Sequence, residues 1–218
     1  MAPRQYDGPI FRADAKAEGQ QVVIGGWECR DGCPVAAARW FRIELTRKTA
    51  PWAFGRGEPF RAIAALELFA SLVSLMVFAQ GLPDDAGAEL QLSGLTDNSG
   101  NTFALARLMS SKFPLVVILA EVAAQLRKRR LALELQWVPR NQNEEADALT
   151  NNRTELFDKA REIKIDLAKL EFIVLPEMVK VADALYAEVR RRRSSRKDQG
   201  SDQRTRKRGR PLRERDPW

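Results

Sequence analysis

Polar and apolar positions set out a run of short strands and longer helices along the chain. Residues 8–14 (Gly-Pro-Ile-Phe-Arg-Ala-Asp) predict a short strand ending at Asp14, and Val22-Val23-Ile24-Gly25-Gly26-Trp27 predicts a second after the turn at 16–19. Residues 39–45 alternate polar and apolar like a half-buried third strand, and short connections make the three an antiparallel meander. A loop rich in Pro, Gly and aromatics (50–58) leads to a long helix over 60–80, which Gly81-Leu82-Pro83-Asp84 stops. A strand over 89–95 follows, then a helix capped by Asn98 or Ser99 and running to 110. Pro114 opens a helix reaching 129, residues 131–138 alternate as a strand, and Asn141 or Asn143 caps a helix through 149. The order β-β-β-α-β-α-α-β-α predicts an α/β protein, a mixed five-stranded sheet with helices on both faces, over 1–152. Helical stretches at 154–170 and 177–193 predict an extension over 153–193, and 194–218 reads as a charged, disordered tail.

Charge changes this picture once it is located. The net charge is +7, but residues 190–218 hold 13 Lys/Arg and 4 Asp/Glu, so the remaining 189 residues are slightly acidic. A near-neutral body with a basic tail predicts a nucleic-acid partner, a nuclear import signal, or both. The sequence contains no histidine and two cysteines, Cys29 and Cys33. That pair supplies half a zinc site with no second half, and two reduced thiols in an intracellular protein is the plainer reading. Without imidazole, catalysis must run on carboxylates, lysine or a hydroxyl nucleophile. Residues 1–20 are polar and predict no signal peptide. The apolar stretch 62–79 carries Glu67 and two serines, which favours a core helix over a membrane span.

Four acids stand where carboxylates are costly. Glu67 shares the helical face of Ile63, Leu66, Ala70, Val73 and Val77, which a helix would press on a sheet. It needs a cation, a hydrogen-bond network or a metal, unless it snorkels at the edge of that face. Asp14 and Asp97 each close a strand, and these ends meet if the first and fourth strands are neighbours. Singly, each reads as a turn or capping aspartate. Together with Glu67 they favour a shared cation, and hard oxygen ligands point to Mg²⁺ or Mn²⁺. Asp147, one helical turn after Asn143, completes a site for two ions, enough to hold a phosphodiester and activate water.

These residues carry a resemblance. Asp14 with Gly25-Gly26-Trp27, Ala65-Leu66-Glu67-Leu68, Thr96-Asp97-Asn98, and Trp137-Val138-Pro139-Arg140 with Asn143-Glu144-Glu145-Ala146-Asp147-Ala148-Leu149 occur in order over about 8–152. The chain resembles the ribonuclease H domain of retroelement reverse transcriptases, of the DIRS-like and Ty3-like types. The resemblance implies a ribonuclease H-like fold with Asp14, Glu67, Asp97 and Asp147 as metal-binding catalytic carboxylates. It implies two divalent ions, Mg²⁺ or Mn²⁺, and cleavage of the RNA strand of RNA–DNA hybrids. Asp31, in an Asp-Gly turn, is an alternative first acid, but choosing it leaves one strand before the long helix where the fold needs two. Many family members carry a histidine near the last aspartate, which is absent here, and the short 110–114 connection leaves no room for a basic handle. With no Tyr-x-Asp-Asp motif, the chain is expected to be a separated domain or degenerate copy, partnered by a polymerase domain on another chain.

Candidate nucleic-acid contacts near the carboxylates are Arg12, Lys16, Trp27, Asn98, Asn101 and Arg140. Arg127-Lys128-Arg129-Arg130 reads as a solvated helix end or a further contact. In the tail, Arg206-Lys207-Arg208-Gly209-Arg210-Pro211 resembles an AT-hook, with Arg208 and Arg210 entering a minor groove. The same string also reads as an import signal to the nucleus or a generic phosphate binder. Two other functional classes stay open: a catalytically silent nucleic-acid-binding module, and a DNA nuclease or transposase of the same fold.

Overall fold

Extended, β-rich segments gather into one mixed sheet. The computed structural model describes residues 4–55, 57–80, 82, 89–181 and 184. Strands β1 (Arg4–Glu18), β2 (Gln21–Glu28), β3 (Trp40–Leu45), β4 (Leu90–Thr96) and β5 (Leu131–Trp137) lie in the order β3-β2-β1-β4-β5. The β1–β2 and β2–β3 pairs are antiparallel, as short turns require, and β1–β4 and β4–β5 are parallel. The expected five-stranded sheet is therefore present, with the first and fourth strands adjacent.

Two boundaries differ from expectation. β1 is 15 residues long and passes through Asp14, which pairs with Gly25 inside the strand and does not close it. The parallel β1–β4 ladder stops at Arg12↔Leu95, so Asp14 and Asp97 both lie two residues beyond its last pair. That register, more than a strand end, makes them neighbours. A short helix α1 (Pro51–Phe54) also forms in the aromatic loop, burying Trp52 edge-on against Phe69.

Helix α2 (Ile63–Phe78) is buried almost all round, and the single apolar face inferred for it is a correction. The sheet covers one side, while Trp52, helix α4 (Leu115–Arg129) and Phe172 cover the others. The helical span Pro59–Phe78 has the length and hydropathy to cross a membrane, and 72% of its most apolar 18 residues are buried inside the domain. Helices α3 (Ser99–Arg107) and α5 (Glu144–Thr150) also form.

Gly25 and Gly26 let two helices approach β2 from opposite faces, as successive strand residues must. A Cβ on Gly25 would stand 2.8 Å from the Leu149 Cβ of α5. One on Gly26 would strike the Ser74 hydroxyl of α2 and come within 2.9 Å of the Phe41 ring.

The helix expected over 154–170 does not form. This stretch is extended, with short 3-10 turns at Lys159–Arg161 and Leu167–Lys169. Asp158 and Asp166 each accept a hydrogen bond from the backbone two residues on, the local bond that competes with helix. The Ile163 N–H donates to the Trp40 carbonyl, Phe157 packs on Trp27 and Trp40, and Leu167, Leu175 and Val179 join the core. A compact unit spans Met1–Val179, so the domain end expected at 152 falls inside it. Helix resumes at 175–181, and the rest of the expected 177–193 helix and the 194–218 tail lie outside the described residues, apart from Ala184.

Candidate active site

Three elements deliver three carboxylates to one point. β1 supplies Asp14, α2 supplies Glu67 and the residue after β4 supplies Asp97, and their ligand oxygens lie within 4.8 Å of one another. They line a cavity of about 260 Å³ shared with Lys16, Arg140, Asp147 and Thr150. Asp31, the alternative, falls in a turn at Arg30–Gly32.

Burial dominates the electrostatics. It pushes the Asp14 carboxyl from 3.8 up to about 6; the Thr150 hydroxyl pulls down against it, and the Asp97 and Asp147 charges push up. Glu67 rises from 4.5 to about 7, again chiefly from burial, with an Asn98 hydrogen bond opposing and the Asp14 and Asp97 charges reinforcing. Glu67 Oε2 is buried with no hydrogen-bond partner. An orphaned carboxylate oxygen beside two further acids suits a divalent cation with hard oxygen ligands, so these residues fit Mg²⁺ or Mn²⁺. Asp14, Glu67 and Asp97 would hold it.

Asp147 lines the cavity but stands outside the cluster. Its Oδ1 accepts from Arg140 at 3.1 Å, and its Oδ2 accepts from Arg153 at 2.8 Å and Asn151 at 3.0 Å. The pairing with Asp147 raises the Arg140 guanidinium above its ordinary value.

The expected nucleic-acid contacts divide. Lys16 and Arg140 line the cavity; Lys16 donates to Asn151 at 3.0 Å and pairs with Glu18 at 2.8 Å. Asn98 caps α3, its Oδ1 accepting from the Asn101 N–H at 3.1 Å. Arg12 is turned inward, donating to the Gln142 carbonyl and lying over the Trp27 ring at 5.8 Å. Trp27 and Asn101 are corrections. Trp27 is buried against Phe157, and Asn101 is buried with its amide on the Ala64 carbonyl, so both support the fold. Arg208 and Arg210 lie outside the described residues.

Sequence reasoning missed Thr150 and Arg153, and took Asn143 only as a cap and motif residue. The buried Thr150 hydroxyl donates to Asp14 Oδ2 at 2.8 Å, and it is placed one turn after Asp147 on α5. Asn143 donates to the Ala13 carbonyl at 3.3 Å, tying the start of α5 to β1. A threonine one turn beyond a candidate acid was an available signal, and Arg153, past the helix end, offered none.

Solved structures resembling the chain include ribonuclease H1 from the archaeon Halobacterium salinarum, at 20% identity and TM-score 0.40, covering 66% of this chain and 96% of that one. LC11 ribonuclease H1, isolated from compost by a metagenomic approach, is 21% identical with TM-score 0.42, covering 66% and 93%. The same enzyme in complex with an RNA/DNA hybrid gives 20% and 0.43, covering 65% and 93%. No protein-family profile matches the chain, and no curated protein matches it. The mixed sheet in the order β3-β2-β1-β4-β5, with helices packed on it, is the α/β architecture expected from the sequence.

Proposed function

We propose that the chain is a divalent-metal-dependent endoribonuclease that cuts the RNA strand of RNA–DNA hybrids and derives from a retroelement reverse transcriptase. The observation that carries the reading is the convergence of Asp14, Glu67 and Asp97 with a buried, unpartnered oxygen on Glu67. The substrate class and the retroelement origin rest on the sequence resemblance. Divalent ions, when bound, would polarise the phosphodiester and lower the pKa of the attacking water.

The chain's own groups do the rest. Asp14, Glu67 and Asp97 supply the negative charge that retains the ions, and Thr150 fixes the Asp14 carboxylate in place. Asn98 steadies Glu67 while capping α3. Lys16 and Arg140, at the cavity wall, neutralise phosphate charge. In the hydrolysis, the water oxygen joins phosphorus, one ester bond breaks, and the departing alkoxide takes a proton. Asp147 is the fourth carboxylate, suited to a second ion.

A labelled RNA–DNA hybrid incubated beside duplex DNA and duplex RNA, with Mg²⁺, Mn²⁺ or EDTA, tests the reading. Cleavage confined to the hybrid and stopped by EDTA is expected. Preferential cutting of duplex DNA would move the reading to a DNA nuclease of the same fold. Binding without cleavage under either metal would make the chain a silent module.

A further inference from the structure

Asp147 has the position of a site residue and the company of a surface ion pair. It lines the cavity of Asp14, Glu67 and Asp97, yet among the described residues those three alone converge as ligands. Both of its oxygens are engaged, one by Arg140 and the other by Arg153 and the Asn151 amide. The two arginine side chains are 79% and 62% exposed, while the carboxylate between them is 21% exposed. Two cations thus reach in from solvent and close over an acid that belongs to the cavity.

Such a pairing is easily exchanged. Ion pairs with exposed arginines are weak, because water screens them and the long side chains lose freedom. A phosphodiester offers guanidinium a charged, bidentate partner of comparable strength. The backbone of α5 does not need to move for the exchange. Asn143 holds its start to β1 and Thr150 holds its end to Asp14, so rotation of side chains suffices. Arg140 also lines the cavity that holds Asp14 and Asp97.

Building on the hydrolase reading above, we propose that Arg140 and Arg153 form an exchangeable phosphate clamp. In the free protein they hold Asp147. An incoming phosphodiester takes the two guanidinium groups and leaves the carboxylate with the Asn151 amide, able to turn toward the cluster of Asp14, Glu67 and Asp97. Arg153 thereby becomes a substrate-binding residue, and Asp147 joins the site only when substrate is present. Arginine stays charged across the working pH range, so the exchange needs no titrating group.

Binding of a fluorescent RNA–DNA hybrid to the full chain in EDTA, where no cleavage occurs, tests the clamp. Asp147→Asn removes the competing carboxylate and is expected to tighten binding by roughly two- to tenfold, the range for releasing two exposed ion pairs. Asp14→Asn removes a carboxylate from the same cavity without freeing an arginine and is expected to give a smaller gain. In an Arg140→Gln/Arg153→Gln background, Asp147→Asn is expected to give no gain. Equal gains from Asp147→Asn and Asp14→Asn would overturn the clamp, as would a gain that survives without the arginines. Wild-type hybrid cleavage with no Asp147→Asn gain overturns the clamp alone. An arginine-dependent gain on duplex DNA, with no hybrid cleavage, overturns the hybrid reading alone. Failure of every form to bind nucleic acid overturns both.

Discussion

Asp14 and Glu67 hold their protons to about pH 6 and 7, well past the 3.8 and 4.5 of the free groups. The folded state therefore binds protons that the unfolded chain has already released. Without metal, this contribution is fully present below the ordinary carboxylate values and is lost as pH rises through 6 and 7. Each carboxyl accounts for on the order of 3 kcal/mol between those limits. Melting in EDTA is expected to show this term as a fall in stability from pH 5 to pH 8, flattened by Asp14→Asn or Glu67→Gln. Mg²⁺ is expected to raise Tm more at pH 8 than at pH 5, and equal shifts at both would mean that the ion does not bind these acids. At this scale much of the candidate site was legible. Glu67 stood out because a carboxylate in an apolar helix needs a partner, and Asp97 because it follows a strand. The buried positions of Trp27 and Asn101 were not legible, since a lone tryptophan or asparagine reads alike as a surface contact or a core residue.

Among the elements, the strands and their pairing were readable from alternation and short turns, while the environment of α2 was not. Period 3.6 finds an apolar stripe in any helix rich in Leu, Val and Phe, and only packing from several sides shows that the whole surface is buried. The 154–170 segment misled for the opposite reason. Its helix-forming residues are overruled by aspartate-capped turns and by the bond to Trp40 at the edge of the sheet. The Gly25-Gly26 pair gained its meaning from the two helices pressed on β2. Gly26→Ala is expected to lower stability by about 1–3 kcal/mol through overpacking against Ser74 and Phe41, read as a lower urea midpoint. An unchanged midpoint would mean that α2 does not sit this close to the strand.

For the molecule as a whole, the compact unit extends to Val179 because residues 153–179 bring their own anchors. Glu121, fully buried on α4, accepts from the backbone N–H groups of Ile173, Val174 and Leu175 and from the Gln125 amide. Replacing it with alanine strands those donors, so Glu121→Ala is expected to cost about 3 kcal/mol or more. Amide exchange at 173–175 is expected to quicken, and unchanged exchange there would contradict the clasp. Beyond this unit, deletion of 194–218 is expected to weaken nucleic-acid binding and flatten its salt dependence while leaving cleavage chemistry intact. An unchanged salt slope would mean that the tail does not contact phosphates.

The proposal that Asp14, Glu67 and Asp97 form one cation site is tested most directly by cleavage of a labelled RNA–DNA hybrid in Mg²⁺ by the wild-type chain and by Asp97→Asn. The predicted result is metal-dependent cutting by the wild type and none by the variant, with the circular dichroism spectrum and Tm of a folded protein retained. Cutting that survives Asp97→Asn would contradict the site.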